Sequence, residues 1–410
     1  MQICDIPING HRLRWEIKTV LMKILMIHNK YAARSGEEVQ FDAIAQLLAE
    51  RGHEVSLYTK SSEGITHSAS GKIAAFLGGV WNPRSRHDMR RLLGEKSPDI
   101  VFVQNLYPLI SPSILSLCRE EGIPIVMRVA NYRLMCPNGL HLSHGRVCER
   151  CIGGKEYWCL LMNCEGNIFK SAGYSLRNAV ARSMGLYKEN VTEYISASSF
   201  LRNRMVEAGF PVERIHTIPN VVPDVERTSI TGEHNYVAYV GRISREKGVD
   251  ILIAAAEKCP EIPFRLAGKL NPLFRLPSSF PKNIEFTGFL EKEALSKFYA
   301  EARFVVSCSE CFETFGMSVA EAMLHEKPVI ASRIGIFPEF VQEGITGMLA
   351  ETGNADDLAR KIWELWKQPD LCRAMGKAGR QRALSEYSPD IYYTRIMDVF
   401  MKAIQQRYAV

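Results

Sequence analysis

The residues of this chain that are best suited to chemistry lie between Ser309 and Ala322. Glu313 and Glu321 stand eight positions apart, the first in a loop after a predicted strand and the second one turn into the next helix. Gly316 lets the backbone approach a ligand closely, and the start of the helix offers free N–H groups to a phosphate. Two carboxylates in this setting suit the hydroxyl groups of a sugar and of a ribose linked to phosphate.

Two cations lie upstream, again directly after a predicted strand and before a helix. Arg242 and Lys247 stand in the segment Gly241–Gly248. Fixed cations together with helix N–H groups can stabilise a departing diphosphate without a metal ion. Alone, these side chains would be ordinary surface charges. Their order with the two glutamates and with the downstream segments Pro328–Ser332 and Glu343–Gly347 favours a functional site.

These motifs resemble the family 4 retaining glycosyltransferases, and the resemblance extends from about Met22 to the C-terminus. It implies the GT-B architecture, an α/β fold of two doubly wound Rossmann-like domains that face a cleft. It also implies that Glu313 contacts the donor sugar, that Glu321 contacts the ribose, and that Arg242 and Lys247 hold the diphosphate. Through this resemblance we expect a retaining hexosyltransferase whose leaving phosphate takes the acceptor proton, with no catalytic metal or other cofactor.

The same resemblance implies further donor-binding positions on both sides of the cleft. The backbone around Gly316 would line the sugar–phosphate pocket, and Gly36 would face the donor from a glycine loop of the first domain. The full set of additional donor-binding residues implied in this way is Gly36, Gly268, Phe289, Leu290, Phe315, Gly316 and Met317.

The first half of the chain departs from the family pattern at three places. Ser35 replaces the first glycine of the glycine loop, Ala130 stands where many members have a histidine, and Gln104 stands where many have a His-x-His motif. These departures leave the donor half nearly intact. They keep two alternatives open: a catalytically silent nucleotide-sugar-binding subunit, and a phosphorylase or synthase of the same architecture.

Short apolar runs alternate with amphipathic stretches throughout the chain, which predicts parallel sheets covered by helices. We expect an N-terminal extension (1–21), an acceptor domain (22–225), a donor domain (226–386) and a terminal helix (387–410), with a linker near Pro223–His234.

Cysteines concentrate in an insertion of the acceptor domain (136–164). Cys136, Cys148, Cys151 and Cys164 include one C-x2-C pair, and four thiolates can build a closed tetrahedral zinc site. A closed site of this kind would be structural because it leaves no open position for substrate. Free thiols in an irregular loop are the alternative.

Composition and charge narrow the class of protein further. Apolar residues make up 46% and charged residues 23%, which excludes disorder. Without a long apolar run or a signal-peptide core, we expect a cytoplasmic protein whose 11 cysteines are reduced.

The first 220 residues hold 27 Lys and Arg against 20 Asp and Glu, including the basic run Arg84–Arg91. This excess indicates either contact with an anionic membrane or with a lipid-linked or other glycan acceptor, or an ordinary solvated surface, and nothing indicates nucleic acid.

Overall fold

The computed structural model describes residues 7–8, 11–12, 21–31, 35–62, 79–223, 225, 235–276 and 280–408. Most of the predicted N-terminal extension and most of the predicted linker lie outside the described residues. Within the extension, Pro7–Ile8 pairs antiparallel with His11–Arg12.

The first half of the chain folds around a six-stranded parallel sheet. In chain order its elements are β1 (Lys23–Lys30), α1 (Gly36–Glu50), β2 (Glu54–Ser61), α2 (Pro83–Lys96), β3 (Ile100–Asn105), α3 (Ser113–Glu120), β4 (Ile125–Val129), β5 (Leu142–Ser143), β6 (Arg146–Val147), α4 (Tyr157–Leu161), α5 (Ile168–Ser183), β7 (Glu193–Ser196), α6 (Ser199–Glu207) and β8 (Ile215–Thr217). The strand order is β8-β7-β4-β3-β1-β2, and β5 and β6 form a separate antiparallel pair. The order reverses between β1 and β3, which is the flavodoxin-like arrangement.

The second half builds a second six-stranded parallel sheet. Its elements are β9 (Val237–Val240), α7 (Val249–Glu257), β10 (Phe264–Ala267), β11 (Ile284–Gly288), α8 (Lys292–Glu301), β12 (Phe304–Ser307), α9 (Met317–Leu324), β13 (Val329–Ser332), α10 (Phe337–Phe340), β14 (Gly347–Ala350), α11 (Ala355–Trp366), α12 (Pro369–Tyr387) and α13 (Pro389–Tyr408). The order β11-β10-β9-β12-β13-β14 is that of the Rossmann fold, with its switch point between β9 and β12. The predicted α/β class with two doubly wound sheets is therefore confirmed.

The central strands of the two sheets are buried on both faces. Every residue of β3, β12 and β13 is buried, so these strands read as continuous apolar runs without alternation. This continuity is why the sequence places them almost to the residue. Predicted Phe304–Ser307 is the observed β12, and predicted Ile100–Gln104 extends by one residue in β3.

The helix predicted at the end of the chain forms as α13, but it packs on the first sheet. Tyr392, Ile396 and Phe400 are buried in one core with residues of β1, β3 and α1. Phe400 meets Phe102 edge to face, with ring centroids 5.8 Å apart. The chain thus returns to its first half after completing the second, and α13 ties the two halves together.

The cysteine-rich insertion is more regular than the loop that the sequence left open as an alternative. It contains β5, β6 and α4, and it leads directly into the sixteen-residue helix α5. Among the described residues, no helix is both long enough and apolar enough to span a membrane.

Candidate active site

The candidate active site begins at the switch point of the second sheet. Strands β9 and β12 lie side by side and run parallel, with Val237 opposite Phe304. The loop after β9 carries Arg242 and Lys247, and the loop after β12 carries Glu313. Because ligands of such sheets bind beyond the carboxyl ends of the strands at this point, the fold itself brings the predicted residues together.

Glycines allow the loop after β9 to lie close to neighbouring backbone. Gly248 has a φ of 70°, and a Cβ atom at this position would lie 1.9 Å from the carbonyl oxygen of Cys308. Gly268, after β10, leaves no room for a side chain either, since a Cβ atom would lie 1.7 Å from the carbonyl oxygen of Gly241. Gly268 therefore fixes the path of the loop that carries Arg242, next to the predicted nucleotide position.

The centre of the site is an ion pair between the two loops. The ammonium group of Lys247 contacts a carboxylate oxygen of Glu313, and the hydroxyl of Ser309 donates to the same oxygen at 2.9 Å. Burial alone would raise the pKa of Glu313, but Lys247 and Ser309 outweigh it and hold this pKa below its usual value. Burial likewise opposes the charge of Lys247, and Glu313 reverses this effect and raises its pKa. Both groups are therefore charged at neutral pH.

The second cation lies at the edge of the site. The guanidinium of Arg242 pairs with Glu246, one turn along the chain, at 2.8 Å, and its side chain is about half exposed. The ion pair holds Arg242 beside the Lys247–Glu313 pair and leaves part of the guanidinium open to a ligand.

Glu321 lies one turn into α9, as the sequence predicts. Tyr299 donates its hydroxyl to the Glu321 carboxylate at 2.9 Å. Burial raises the pKa of Glu321, and this hydrogen bond only partly offsets the effect. A carboxylate that is largely buried and accepts a single bond can accept further bonds from hydroxyl groups.

The start of α9 has the backbone geometry expected of a phosphate-binding loop. Gly316 caps the helix with a φ of 84°, and a Cβ atom there would lie 3.1 Å from the ring of Phe337. The side chain of Phe315 is buried against Phe340 and Tyr387, so only its backbone can line the pocket. Met317 turns the other way and packs against the first domain.

The residues predicted around the nucleotide base lie beyond β11. Phe289 is exposed, and the ammonium group of Lys269 lies 4.6 Å from the centroid of its ring. Leu290 is partly buried against the core of the domain. An exposed ring of this kind provides a face on which a base can stack.

The first domain reaches into the site through three contacts. The hydroxyl of Tyr132 donates to the carbonyl oxygen of Glu313 at 3.0 Å. From the other side, Gln40 and Asn220 approach the sulfur of Met317 at 3.5 and 3.7 Å. The two domains therefore meet directly at the residues that the sequence assigns to the donor.

Gly36 is the first residue of α1, and no atom lies within 4 Å of where its Cβ would be. The described neighbours therefore do not require glycine at this position.

Ser35, which replaces the other glycine of the family loop, caps α1. Its hydroxyl accepts from the N–H of Glu37 at 3.2 Å, and Glu38 accepts from the N–H of Ser35 at 2.7 Å. This capping box gives a structural reason for the serine.

A carboxylate that the sequence analysis did not single out lies on the first domain's side of the cleft. Glu37 accepts a hydrogen bond from Asn131 at 3.0 Å and one from the hydroxyl of Tyr31 at 3.4 Å. Arg133 also approaches that hydroxyl at 3.4 Å. Burial raises the pKa of Glu37, and Asn131 and Arg133 lower it in part. In the sequence, Glu37 is only one of two adjacent acidic residues at the start of α1. Such residues by themselves predict no more than a favourable interaction with the helix dipole.

Gln104, one of the departures from the family pattern, and Arg128 hold the backbone near Glu37 in place. Gln104 donates to the carbonyl oxygen of Glu37 at 2.7 Å and accepts from Arg128 at 2.9 Å. Arg128 also donates to Asn220 at 2.5 Å. Ala130 is buried and has no polar side-chain atom to offer. At these positions the Glu37–Asn131 pair is a further polar group that a ligand could meet, although the oxygen of Asn131 already accepts from the N–H of Arg133 at 3.0 Å.

Cys151 lies close enough to Cys136, Cys159 and Cys164 for each of them to raise its pKa, so three of the four predicted cysteines lie near one another, together with Cys159. Cys136 and Cys151 share a hydrogen bond, which lowers the pKa of Cys136 to about 7. Cys159 lies next to Cys164, and burial together with this neighbour raises the pKa of Cys159 to about 12. Cys148 donates its N–H to the carbonyl oxygen of His141 at 2.8 Å, and its own carbonyl oxygen lies 3.1 Å from Nδ1 of His141.

Within the described residues, no group of three or more His, Cys, Asp or Glu side chains is arranged to hold a metal ion. Zinc binding by these thiols stays a prediction.

Two family profiles cover both sheets. The profile described as "Glycosyl transferase 4-like domain" matches residues 35–221, and the one described as "Glycosyl transferases group 1" matches residues 224–382. Together with the two doubly wound sheets and the cleft between them, these matches define the class. The chain belongs to the family 4 glycosyltransferases of the GT-B fold.

Individual relatives are similar over part of their length. An uncharacterized glycosyltransferase, MJ1178 of Methanocaldococcus jannaschii, is 35% identical over 154 residues, which are 37% of this chain and 43% of that protein. A poly(ribitol-phosphate) alpha-N-acetylglucosaminyltransferase of Staphylococcus aureus is 28% identical over 199 residues, 47% of this chain and 40% of that protein. The matched segments thus span less than half the length of these relatives.

Among solved structures, Anabaena Alr3699/HepE in complex with UDP and glucose superposes with a TM-score of 0.63 at 17% identity. The superposition covers 93% of this chain and 100% of that one. At this identity the likeness supports the shared fold alone.

The geometry around the ion pair predicts how the two cations contribute to ligand binding. We expect Arg242→Ala and Lys247→Ala to weaken nucleoside diphosphate binding about ten- to a hundredfold, because hydrogen bonds to charged groups contribute about 1.5–3 kcal/mol. Nucleoside binding should change much less. Titration calorimetry with both ligands measures the difference.

Lys258→Ala is the matched control, since it removes an ion-paired cation at the far end of α7. Equal losses for nucleoside and diphosphate in the two site variants would contradict a role in holding the diphosphate.

For the cysteine cluster, we expect about one zinc per chain in protein purified without added metal, because four thiolates form a closed zinc site. Cys136→Ser should lose the metal, whereas Cys259→Ser, a buried thiol of the other domain, should keep it. Metal-free protein with freely titratable thiols at positions 136, 148, 151 and 164 would end the zinc hypothesis.

Proposed function

We propose that this protein is a metal-independent retaining glycosyltransferase that moves a hexosyl group from a nucleotide sugar to a glycan or lipid-linked acceptor. The observation that carries the proposal is the Lys247–Glu313 ion pair at the switch point of the second sheet. It joins a cation suited to a diphosphate with a carboxylate suited to a sugar. The donor would be a nucleotide sugar such as a UDP-sugar or GDP-mannose, and the Anabaena protein of the same fold was solved with UDP and glucose.

Each residue has a role that its surroundings support. Lys247 and Arg242 would hold the diphosphate and stabilise the charge that develops as it leaves. The N–H groups at the start of α9, opened by Gly316, would bind the same phosphates. Glu313 would accept hydrogen bonds from hydroxyl groups of the donor sugar, and Glu321 from those of the ribose.

The resemblance to the retaining members of the family supports a retaining course. No step needs a protein base if the leaving phosphate takes the acceptor proton on the same face of the sugar. Glu313 is poorly suited to act as a base, because Lys247 and Ser309 keep its pKa low and its carboxylate engaged. In this proposal the protein orients the donor and neutralises the negative charge of the departing diphosphate.

The acceptor would enter from the first domain, where Glu37 and Asn131 provide a carboxylate and an amide. A hydroxyl group of the acceptor could donate to Glu37, which replaces the contact that a histidine at position 130 provides in many family members. A phosphorylase or synthase of the same architecture, or a silent nucleotide-sugar-binding subunit, is the alternative. A panel of sugar acceptors, inorganic phosphate and sugar phosphates, assayed with the same donor, separates these activities.

We place the proposed reaction in the cytoplasm, beside a membrane when the acceptor is lipid-linked. The basic first half of the chain supports this placement.

Glu313→Gln should lower the turnover of sugar transfer at least about a hundredfold, comparable to the loss of one preorganised stabilising group. The amide keeps the shape of the side chain and can still accept from Ser309, so the fold should survive. Turnover, thermal unfolding and diphosphate binding are measured together. Glu310→Gln, in the same loop, is the control. A fully active Glu313→Gln variant would remove Glu313 from the sugar site.

Glu37→Gln should lower kcat/KM for the acceptor roughly tenfold or more, because a charge-assisted hydrogen bond to a hydroxyl group contributes about 1.5–3 kcal/mol. Hydrolysis of the donor by water should stay near its original rate, since Glu37 lies on the acceptor side. Glu50→Gln, at the exposed end of the same helix, controls for the change of charge. An equal loss of hydrolysis and transfer would show that Glu37 acts on the donor or on the fold instead.

A further inference from the structure

Exposed apolar side chains concentrate on helices α4 and α5 of the first domain. On α4, Tyr157 and Leu161 are more than half exposed, and they stand one helical turn apart. On α5 and its C-terminal cap the exposed apolar residues are Ile168, Phe169, Leu176 and Met184. Phe169 is 84% exposed, which is far more than a phenylalanine of a closed surface usually shows. We call this surface the α4–α5 face.

The apolar residues of α5 form one stripe. Phe169, Leu176 and Met184 follow one another at seven and eight residues, which places them on one side of the helix. With a rise of about 1.5 Å per residue, the stripe is about 22 Å long. Unscattered apolar exposure of this extent marks an interaction surface rather than ordinary solvent contact.

The opposite side of α5 is fixed to the domain by hydrogen bonds. Ser175 donates to the carbonyl oxygen of Glu156 at 2.8 Å, and Asn178 donates to the carbonyl oxygen of Arg133 at 2.7 Å. These bonds determine which side of the helix points outward. They also connect the helix to the segment Asn131–Arg133, which borders the active-site cleft.

Cations and aromatic rings surround the stripe. Residues 136–184 contain six Lys and Arg against three Asp and Glu. The guanidinium of Arg150 lies 5.0 Å from the ring of Trp158, and the ammonium of Lys170 lies 5.5 Å from the ring of Tyr174. Aromatic rings and basic side chains beside protruding apolar groups are the composition of surfaces that lie in a membrane interface.

We propose that the α4–α5 face docks the enzyme on an anionic membrane, with Phe169, Leu176 and Leu161 entering the boundary between headgroups and acyl chains. This proposal deepens the proposed function, because a lipid-linked acceptor is the reason to expect a lipid surface here. The excess of cations opposes a second copy of this chain as the occupant, since self-association would bring like charges together. The same cations attract anionic headgroups.

The position of the face fits an acceptor held in a membrane. From the stripe, the bond between Asn178 and Arg133 leads to the loop that borders the cleft. The next contact along that loop joins Tyr132 to Glu313. A docked enzyme would therefore keep its cleft close to the membrane surface, within reach of a lipid-linked acceptor.

Part of the basic run on α2 is engaged within the domain. Arg86 is committed inside the domain: it donates to the carbonyl oxygen of Ser113 at 2.6 Å and to Ser116 at 2.7 Å, and it pairs with Glu120. Arg91 pairs with Glu95 on the same helix. On the α4–α5 face Lys170 pairs with Glu165 and Arg182 with Glu156, so both surfaces combine paired and unpaired cations and the experiment must separate them.

Co-sedimentation with vesicles tests the proposal. The protein should bind vesicles of phosphatidylcholine with phosphatidylglycerol, and bind those of phosphatidylcholine alone much less. The double variant Phe169→Ser/Leu176→Ser should bind the anionic vesicles roughly tenfold less, because each side chain loses its apolar contact with the lipid. Leu273→Ser, which changes a 92% exposed leucine of the other domain, is the matched control and should bind like the unchanged protein.

Three outcomes would overturn the proposal. The first is that the unchanged protein fails to bind anionic vesicles. The second is that the double variant binds them as tightly as Leu273→Ser does. The third is that Arg84→Glu/Arg90→Glu abolishes binding while the double variant does not. Light scattering gives a further contradiction if the unchanged protein dimerises and the double variant is monomeric, since a second copy then covers the face. Donor hydrolysis, measured in the same samples, reports on the proposed transferase activity independently of membrane binding.

Discussion

The ion pair between Lys247 and Glu313 is the interaction around which the donor site is organised. It joins the loop after β9 to the loop after β12 across the switch point. The close packing of Gly248 on Cys308 allows the loops to meet, and Ser309 completes the carboxylate's contacts. Because Lys247 already has a partner, a diphosphate must share this cation with Glu313. The arriving negative charge would weaken the pair and leave Glu313 more available to the hydroxyl groups of a sugar, so that binding of the two parts of the donor is coupled.

The same loop also connects the two domains. Phe312 lies among N-domain aromatic rings, 4.7 Å from the centroid of Phe200 and 6.2 Å from that of Tyr132. Close by, the carboxylate of Glu339 accepts from the N–H groups of Ser199 and Phe200 at the start of α6. A relative movement of the domains must therefore break contacts made by the residues that carry Glu313. This arrangement links the width of the cleft to the geometry of the donor site.

The sequence predicts those parts of the molecule whose environment is local. The buried strands β3 and β12 have mostly apolar sequences. Gly268 is a glycine because its neighbours leave no room for a side chain, and Gly316 because its φ of 84° is one that other residues rarely adopt. Long-range packing is not visible in this way. The apolar face of α13 could have covered either sheet, and only the tertiary structure places it on the first. The exposed stripe of α5 has the spacing of a core-facing helix, so periodicity alone cannot reveal that it points outward.

Glu37 illustrates why a candidate functional residue outside a motif escapes sequence analysis. An acidic residue at the start of a helix is explained by the helix dipole, and nothing in its local sequence indicates a ligand. Its significance comes from Asn131, which is 94 positions away in the chain and reaches it at the switch point of the first sheet. Because Gln104 and Arg128 are engaged with each other and with Asn220, they cannot replace a missing histidine without breaking these bonds. A polar group in place of the missing histidine would therefore come from α1, on the same domain's side of the cleft.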